Sequence, residues 1–517
     1  MSTPIAHRAG PRQWAGLAIL ALPTMLLGLD VTVLYLALPA LAADLRPDGT
    51  ETLWIMDSYG FLIAGFLISM GTLGDRIGRR RLLMIGAVAF GLVSILAAYA
   101  TGPLMLIAAR AALGVAGATL MPSTLSLIST MFLDARQRAV AIGVWATMFA
   151  LGMAAGPVVG GILLDHFWWG SAFLVAVPII VVLLVSGPLL LPEYRDPRAG
   201  RFDLLSGALS LAAILPVVYG VKHAAADGFD LVTVVVPAIG IGFGVLFVRR
   251  QRTLADPLLD LTLFTSRGVG AALSVLLVGL MGVGGVMYLV TQYLQFVDGL
   301  SPFEAGLWMG PPALAMFVAA IAAPLLARRI RPGLIVAATL AAATVGYLLL
   351  TQVEAAGSRG LVVTGFALVY LGLGAIAALG TDLVVGSAPP AKSGSAAAMS
   401  ETVQELGVAA GVAILGSLTA VVYRDRVADQ LPSDLPAGVA ATAGDSLAGA
   451  VSVAGALPEE ALQGAAAAFT AGMNTAALVA GAAILALAIV SATVLRHVGT
   501  IGSEGYEETG QPERAAS

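Results

Sequence analysis

Apolar stretches long enough to cross a bilayer recur along the whole chain, at residues 13–43, 51–73, 82–100, 103–131, 138–164, 168–191, 204–222, 230–248, 268–297, 304–327, 333–351, 359–386, 394–422 and 466–495. Polar turns, most of them short, separate these stretches. A helix needs about 20 residues to traverse the hydrocarbon, so the pattern predicts fourteen membrane-spanning helices. The first stretch shares two features with a secretory leader: Arg8 and Arg12 precede it, and Ala40-Leu41-Ala42 stands near its end. It is too long for a leader and Asp30 interrupts its apolar run, so it is read as a retained span.

Composition supports this reading. Of 517 residues, 58% are apolar and only 11% are charged, against about 25% charged in a soluble domain. There is no cysteine. An ordinary soluble enzyme, a disordered tail protein and a disulfide scaffold are excluded. The net charge of −4 is too small to point to a nucleic-acid partner. With the N-terminus placed in the cytoplasm, 21 of the 27 Lys and Arg fall in inner loops and tails, while Arg46, Lys222, Arg359, Arg424 and Arg426 fall in outer loops and Arg110 lies within a span. That bias predicts an even number of spans with both termini cytoplasmic.

The expected organisation is an N-terminal six-helix bundle over 1–195 and an inserted helix pair over 196–255. A C-terminal six-helix bundle then covers 256–500, including an outer loop at 423–465, and a cytoplasmic tail covers 501–517. One basic turn follows the second span at 73–80 and another follows the tenth at 326–332, as two parallel halves would require.

The most specific local pattern is Gly71-Thr72-Leu73-Gly74-Asp75-Arg76-Ile77-Gly78-Arg79-Arg80-Arg81. Glycine permits a tight turn between helices, and Asp75 with the arginines can form charge pairs that differ between two packings. Gly152, Gly156 and Gly160 recur every four residues, so they share a helix face and admit a close neighbour. Pro157 removes one helical hydrogen bond and allows a bend.

These two stretches resemble motifs of the major facilitator superfamily. So do Arg110 with the following Gly114 and Gly117, and Leu29-Asp30-Val31-Thr32-Val33 ahead of Ala37-Leu38-Pro39. The first-span stretch and the fifth-span run ending Gly160-Gly161 are similar to those of fourteen-span drug:proton antiporters, the multidrug exporters of the QacA type. The resemblance implies an all-α integral membrane protein of major facilitator fold, with 14 transmembrane helices arranged 6+2+6. It further implies a gating loop built on Gly71, Asp75, Arg76, Gly78, Arg79 and Arg80. An antiporter helix would carry Gly152, Gly156, Pro157, Gly160 and Gly161, and Asp30 would serve in coupling.

Ionisable residues inside spans bear on mechanism independently. A charge in hydrocarbon costs at least about 2.5–3.5 kcal/mol, so such residues face a cavity or a partner. Asp30 lies near mid-span, Asp57 in the outer third of its span, and Glu401 and Glu405 in the thirteenth span. The two glutamates are one turn apart, about 6 Å along the axis, and a proton or a cation relieves their mutual repulsion. One carboxylate cannot be neutralised by both at once, which is the chemistry of cation-for-proton exchange. Asp30, Glu401, Glu405 and Asp57 are therefore the candidate proton-coupling and substrate-binding residues.

Arg110 is read either as a tuning partner of Asp30 or as a strut, and Asp57 either as a site acid or as the partner of Arg110. A competing reading puts Glu401 and Glu405 in a structural network with Gln404. Asp382 is close enough to the inner loop to be solvated and is left out. Some relatives carry a further acid in the tenth span, where this chain has only Glu304 at the outer edge.

Flat cations stack on aromatic faces, which makes Tyr35, Trp54, Tyr59, Trp145 and Phe149 candidates for substrate contact, Tyr59 and Trp145 first among them; packing or anchoring is the competing role. The outer segment 423–465 is either a gate, a cation-gathering loop or a solvated linker. Other signals fail. The phosphate-loop-like stretch at 386–393 lacks its second glycine and has two prolines, and the four histidines have no metal spacing. Asp256 and Asp260 have the spacing of a diphosphate-binding pair without a second such pair.

The sequence thus predicts a multi-pass, monomeric protein of the bacterial inner membrane, with no metal or cofactor. It would exchange protons for hydrophobic organic cations such as quaternary ammonium compounds and ethidium-like dyes. An exporter of an endogenous lipid or metabolite and a membrane-embedded prenyltransferase are the alternatives.

Overall fold

In hydrocarbon every backbone N–H and C=O must find its partner within its own segment, so apolar runs of this length fold as helices. The computed structural model describes residues 9–195, 203–228, 230–254, 257, 267–327, 329–386 and 393–494, and all regular structure among them is helical. The helices are α1 (Pro11–Leu45), α2 (Gly49–Ile77), α3 (Arg79–Ala98), α4 (Pro103–Met131), α5 (Ala135–His166), α6 (Ser171–Leu174), α7 (Ala176–Leu190), α8 (Leu204–Asp227) and α9 (Leu231–Thr253). They continue with α10 (Arg267–Gln292), α11 (Pro302–Trp308), α12 (Gly310–Ala327), α13 (Pro332–Leu350), α14 (Arg359–Gly386), α15 (Ser393–Val427), α16 (Ala437–Asp445), α17 (Leu447–Ser452) and α18 (Glu459–Val494). Thirteen apolar segments are long enough to cross a membrane, counting α6 with α7 and α11 with α12. The fourteenth is α2, bent by 53° between Gly49–Leu67 and Ser69–Ile77.

Polar residues set the helix boundaries. Asp48 accepts from the Glu51 amide at 2.6 Å while Glu51 accepts from the Asp48 amide at 3.0 Å, a reciprocal cap that starts α2. Pro103 and Pro332 open α4 and α13, where a missing N–H costs nothing. Gly78, at φ +113°, separates α2 from α3 in a single residue, a backbone in which any side chain is strained. The last span begins at Glu459 and not near 466, because Glu459 and Glu460 lie in its first turn, where acidic side chains suit the helix dipole.

Packing gathers the spans into two groups. In the first, α1 lies on α5 and α7, α2 on α4, and α3 on α4 and α7; in the second, α10 lies on α15, α14 and α18, α12 on α14, and α13 on α14 and α18. The α8–α9 hairpin attaches through α8, which touches both α2 of the first group and α15 of the second. The start of α1, the turn carrying Arg79 and Arg80, the start of α5 and the end of α7 share one basic face: Arg12 donates to the Leu189 carbonyl, Arg80 to the Leu191 carbonyl and the Ala9 amide to Gln137. Contacts between the groups fall toward the opposite face: Gly161 against Pro302 and Phe303, Gly306 against Pro157 and Val158, Gly60 against Ala409, and Gly416 against Leu53.

The segment between α15 and α18 is folded onto that far face. The Tyr423 hydroxyl donates to the Ala443 carbonyl at 2.7 Å, and Asp445 accepts from the Gly49 amide at 2.8 Å and pairs with Arg424 at 3.0 Å.

Candidate functional site

The mid-membrane charges converge where the two groups meet. Arg110 of α4 is 2% exposed; its Nη1 donates to Asp30 Oδ2 of α1 at 2.9 Å and its Nε donates to the Ile55 carbonyl of α2 at 3.3 Å. Its guanidinium carbon sits 4.4 Å from the centre of the Tyr59 ring. Close approach is possible because Gly114 and Gly117 on the same helix lie against Tyr59, and a Cβ at either would meet it or its neighbours. Thus Arg110 partners Asp30.

Asp57 pairs elsewhere. Its Oδ1 accepts from Lys222 Nζ at 2.9 Å, and neither side chain has any exposed surface. Of the two readings of Asp57, pairing with Arg110 is not the one realised, and the placement of Lys222 in an outer loop is corrected. α8 runs to Asp227, five residues beyond Lys222, and carries it into the interior. A lysine near a span end can bury its methylenes and snorkel its ammonium to water, but here the ammonium turns inward to the Asp57 carboxylate and to the Trp54 ring, 3.8 Å from its centre.

A cavity of about 20 Å³, room for about one water molecule, lies between these pairs. Tyr35, Asp57, Tyr59, Arg110 and Glu405 line it, with Val31, Met56 and Val408 among the apolar walls. Glu405 of α15 is 9% exposed and has no charged partner among the described residues. Glu401, one turn nearer the basic face, is half-buried and outside this cavity. Gln404 donates to Thr381 Oγ1 and to the Ser400 carbonyl, both at 3.3 Å, so its amide engages α14 and its own helix and not the two glutamates.

The aromatic candidates divide. Tyr35 and Tyr59 line the cavity, and Tyr35 lies 6.5 Å from Tyr288 across the group boundary. Trp145 does not line it: its ring is buried and its N–H donates to Thr124 at 3.0 Å, tying α5 to α4. Phe149 is half-buried, with its carbonyl against Gly28 of α1.

The gating and antiporter stretches lie apart from this centre. Asp75 pairs with Arg79 at 2.6 Å, and the Arg79 amide donates to the Tyr194 carbonyl at 3.0 Å. Arg80 donates to the Leu191 carbonyl at 2.9 Å and faces Glu193 at 3.6 Å, while Arg76 is exposed. Gly71 faces Pro122 of α4, and a Cβ on Gly78 would meet Glu193. The turn is thus latched to the end of α7 by Glu193, a residue that gave no motif signal. Gly152, Gly156 and Gly160 set α5 directly on Met25, Leu29, Thr32 and Val33 of α1, while Pro157 and Gly161 meet α11 of the second group. Asp382, and the Asp256 and Asp260 pair, lie outside the residues whose side chains are described.

Two groups of apolar spans thus meet around buried, paired charges. Residues 20–412 match the Major Facilitator Superfamily, and the chain belongs to that family. It is 43% identical over 503 residues to the multidrug efflux pump LfrA of Mycolicibacterium smegmatis, covering 96% of this chain and 99% of that one. It is 35% identical over 462 residues to the methyl viologen resistance protein SmvA of Salmonella typhimurium, covering 86% and 90%. Among solved structures, a bacterial homologue of the human lysosomal transporter Spinster, inward-facing and occupied, superposes with a TM-score of 0.61 at 16% identity over 94% of this chain and 98% of that one. The fold is therefore that of the superfamily, and the protein is a multi-pass protein of the bacterial inner membrane.

Proposed function

We propose that this protein is a monomeric proton-coupled antiporter that expels hydrophobic organic cations, with the six spans before and after the α8–α9 hairpin rocking about the central charges. The observation that carries this reading is Glu405. Two acids are already paired, Asp30 with Arg110 and Asp57 with Lys222, whereas Glu405, in the cavity that Asp57 and Arg110 also line, makes no ion pair among the described residues. A buried bare carboxylate is costly and must be neutralised. A proton or an organic cation does so, but not both together, and by linkage each weakens the binding of the other.

Asp30 extends the switch. Uptake of a proton by Asp30 releases Arg110, whose guanidinium lines the same cavity as Glu405, so one arginine can serve either carboxylate. With the arginine-rich turns placed in the cytoplasm, contacts that close the far face correspond to a state open inward. No bound cofactor is required, since the proton gradient supplies the energy. Efflux-pump relatives support this reading, and the name of one specifies methyl viologen, a flat dication.

Everted membrane vesicles holding an imposed pH gradient test it. Ethidium should dissipate the gradient with the wild-type protein, and the response should fall to background with Asp30→Asn or Glu405→Gln. Dye movement without proton flux, or normal exchange in both variants, overturns the reading.

A further inference from the structure

Lys222 is the one lysine with a described side chain, and it reaches the centre from outside the two six-span groups. It arrives on α8, which lies against both α2 and α15. Its ammonium is held by Asp57 at 2.9 Å and by the face of Trp54, 3.8 Å from the ring centre. A carboxylate combined with an aromatic face is how proteins recognise organic cations. Asp57 also lines the cavity that holds Glu405, and its Oδ2 accepts no hydrogen bond among the described residues. The pocket thus has the chemistry of a cation site, and a side chain of the protein fills it.

We propose that Asp57 and Trp54 form a subsite for the cationic head of the substrate, and that Lys222 is its tethered occupant, displaced when substrate binds. The inference rests on the reading of the protein as an exporter of organic cations. Exchange of one cation for another keeps a positive charge beside Asp57 at each stage, which avoids the cost of leaving a buried carboxylate bare. It also gives the inserted hairpin work to do. Because α8 touches both groups, moving its lysine links occupancy of the site to their relative position.

Equilibrium binding of tetraphenylphosphonium to the purified full-length protein tests this. Lys222→Met vacates the subsite and should bind the probe about tenfold more tightly than wild type. Adding Asp57→Asn should carry binding below the wild-type level, and adding Trp54→Ala should reduce the gain. If Lys222→Met binds no more tightly than wild type, the inference is overturned. Should Lys222→Met fail to fold, the neutral pair Asp57→Asn with Lys222→Met replaces it, because a neutral buried pair is tolerated where a lone charge is not. Weaker binding than wild type then supports the subsite, and unchanged binding makes the pair a strut and overturns it. Wild-type protein that binds no tetraphenylphosphonium overturns the exporter reading itself, whereas normal wild-type binding with unmoved variants overturns only the subsite.

Discussion

Gly156 has no room for any side chain. A Cβ there would enter the Thr32 hydroxyl, and one at Gly152 would enter the Met25 carbonyl, so α5 packs backbone to backbone on α1. Gly143 on the same helix has nothing within 4 Å of the corresponding position. Overpacking of a tight contact costs roughly 1–3 kcal/mol and sometimes more. Gly156→Leu should therefore lower the melting temperature of the purified protein and its transport rate together, while Gly143→Ala changes neither. Equal melting curves for the two variants would show that the α1–α5 contact is not tight. The glycine spacing was readable in the sequence because a four-residue repeat always shares a helix face; that its neighbour is α1 was not.

At the level of the element, the α8–α9 hairpin is held by polar groups at its two ends. Near the far face Lys222 ties α8 to α2, and at the basic face Arg250 of α9 pairs with Asp203, the cap of α8, at 2.9 Å. Burial pushes the Asp203 carboxyl up, but hydrogen bonds from Arg250 and Ser206 outweigh it and hold the group below its ordinary value. A depressed carboxyl contributes stability above the unfolded value, about 3.9, and loses it as pH falls through the folded value. Amide exchange in the first turn of α8 should thus quicken in wild type as pH drops below about 4, beyond the intrinsic rate. Asp203→Asn should already exchange faster at neutral pH and lack that acid-induced step.

For the whole molecule, the groups touch along α2–α15 and α5–α11. A Cβ built on Gly60 would lie 3.0 Å from the Ala409 Cβ, so the two helices need part by only about half an ångström to reach the roughly 3.5–4.5 Å that a disulfide spans. The chain has no cysteine, so Gly60→Cys with Ala409→Cys adds the only pair. Oxidation should cross-link the groups and arrest transport, and reduction should restore it. Full transport by the oxidised, cross-linked protein would show that this contact does not open during the cycle.

Span number was legible in the sequence alone, because hydrocarbon thickness fixes the length of an apolar helix and paired backbone leaves no other structure open to it. The loop pattern around Asp75 and the first- and fifth-span stretches likewise carried the family. The exact edge of a span was less legible: Lys222, near the end of an apolar run, reads as a loop residue until the helix is seen to continue. Only the tertiary structure decided which charges meet. Asp30 and Arg110 are 80 residues apart, and Asp57 and Lys222 are 165 apart. Such pairs depend on how helices are arranged around one another, and a periodicity confined to one helix carries no information about that arrangement.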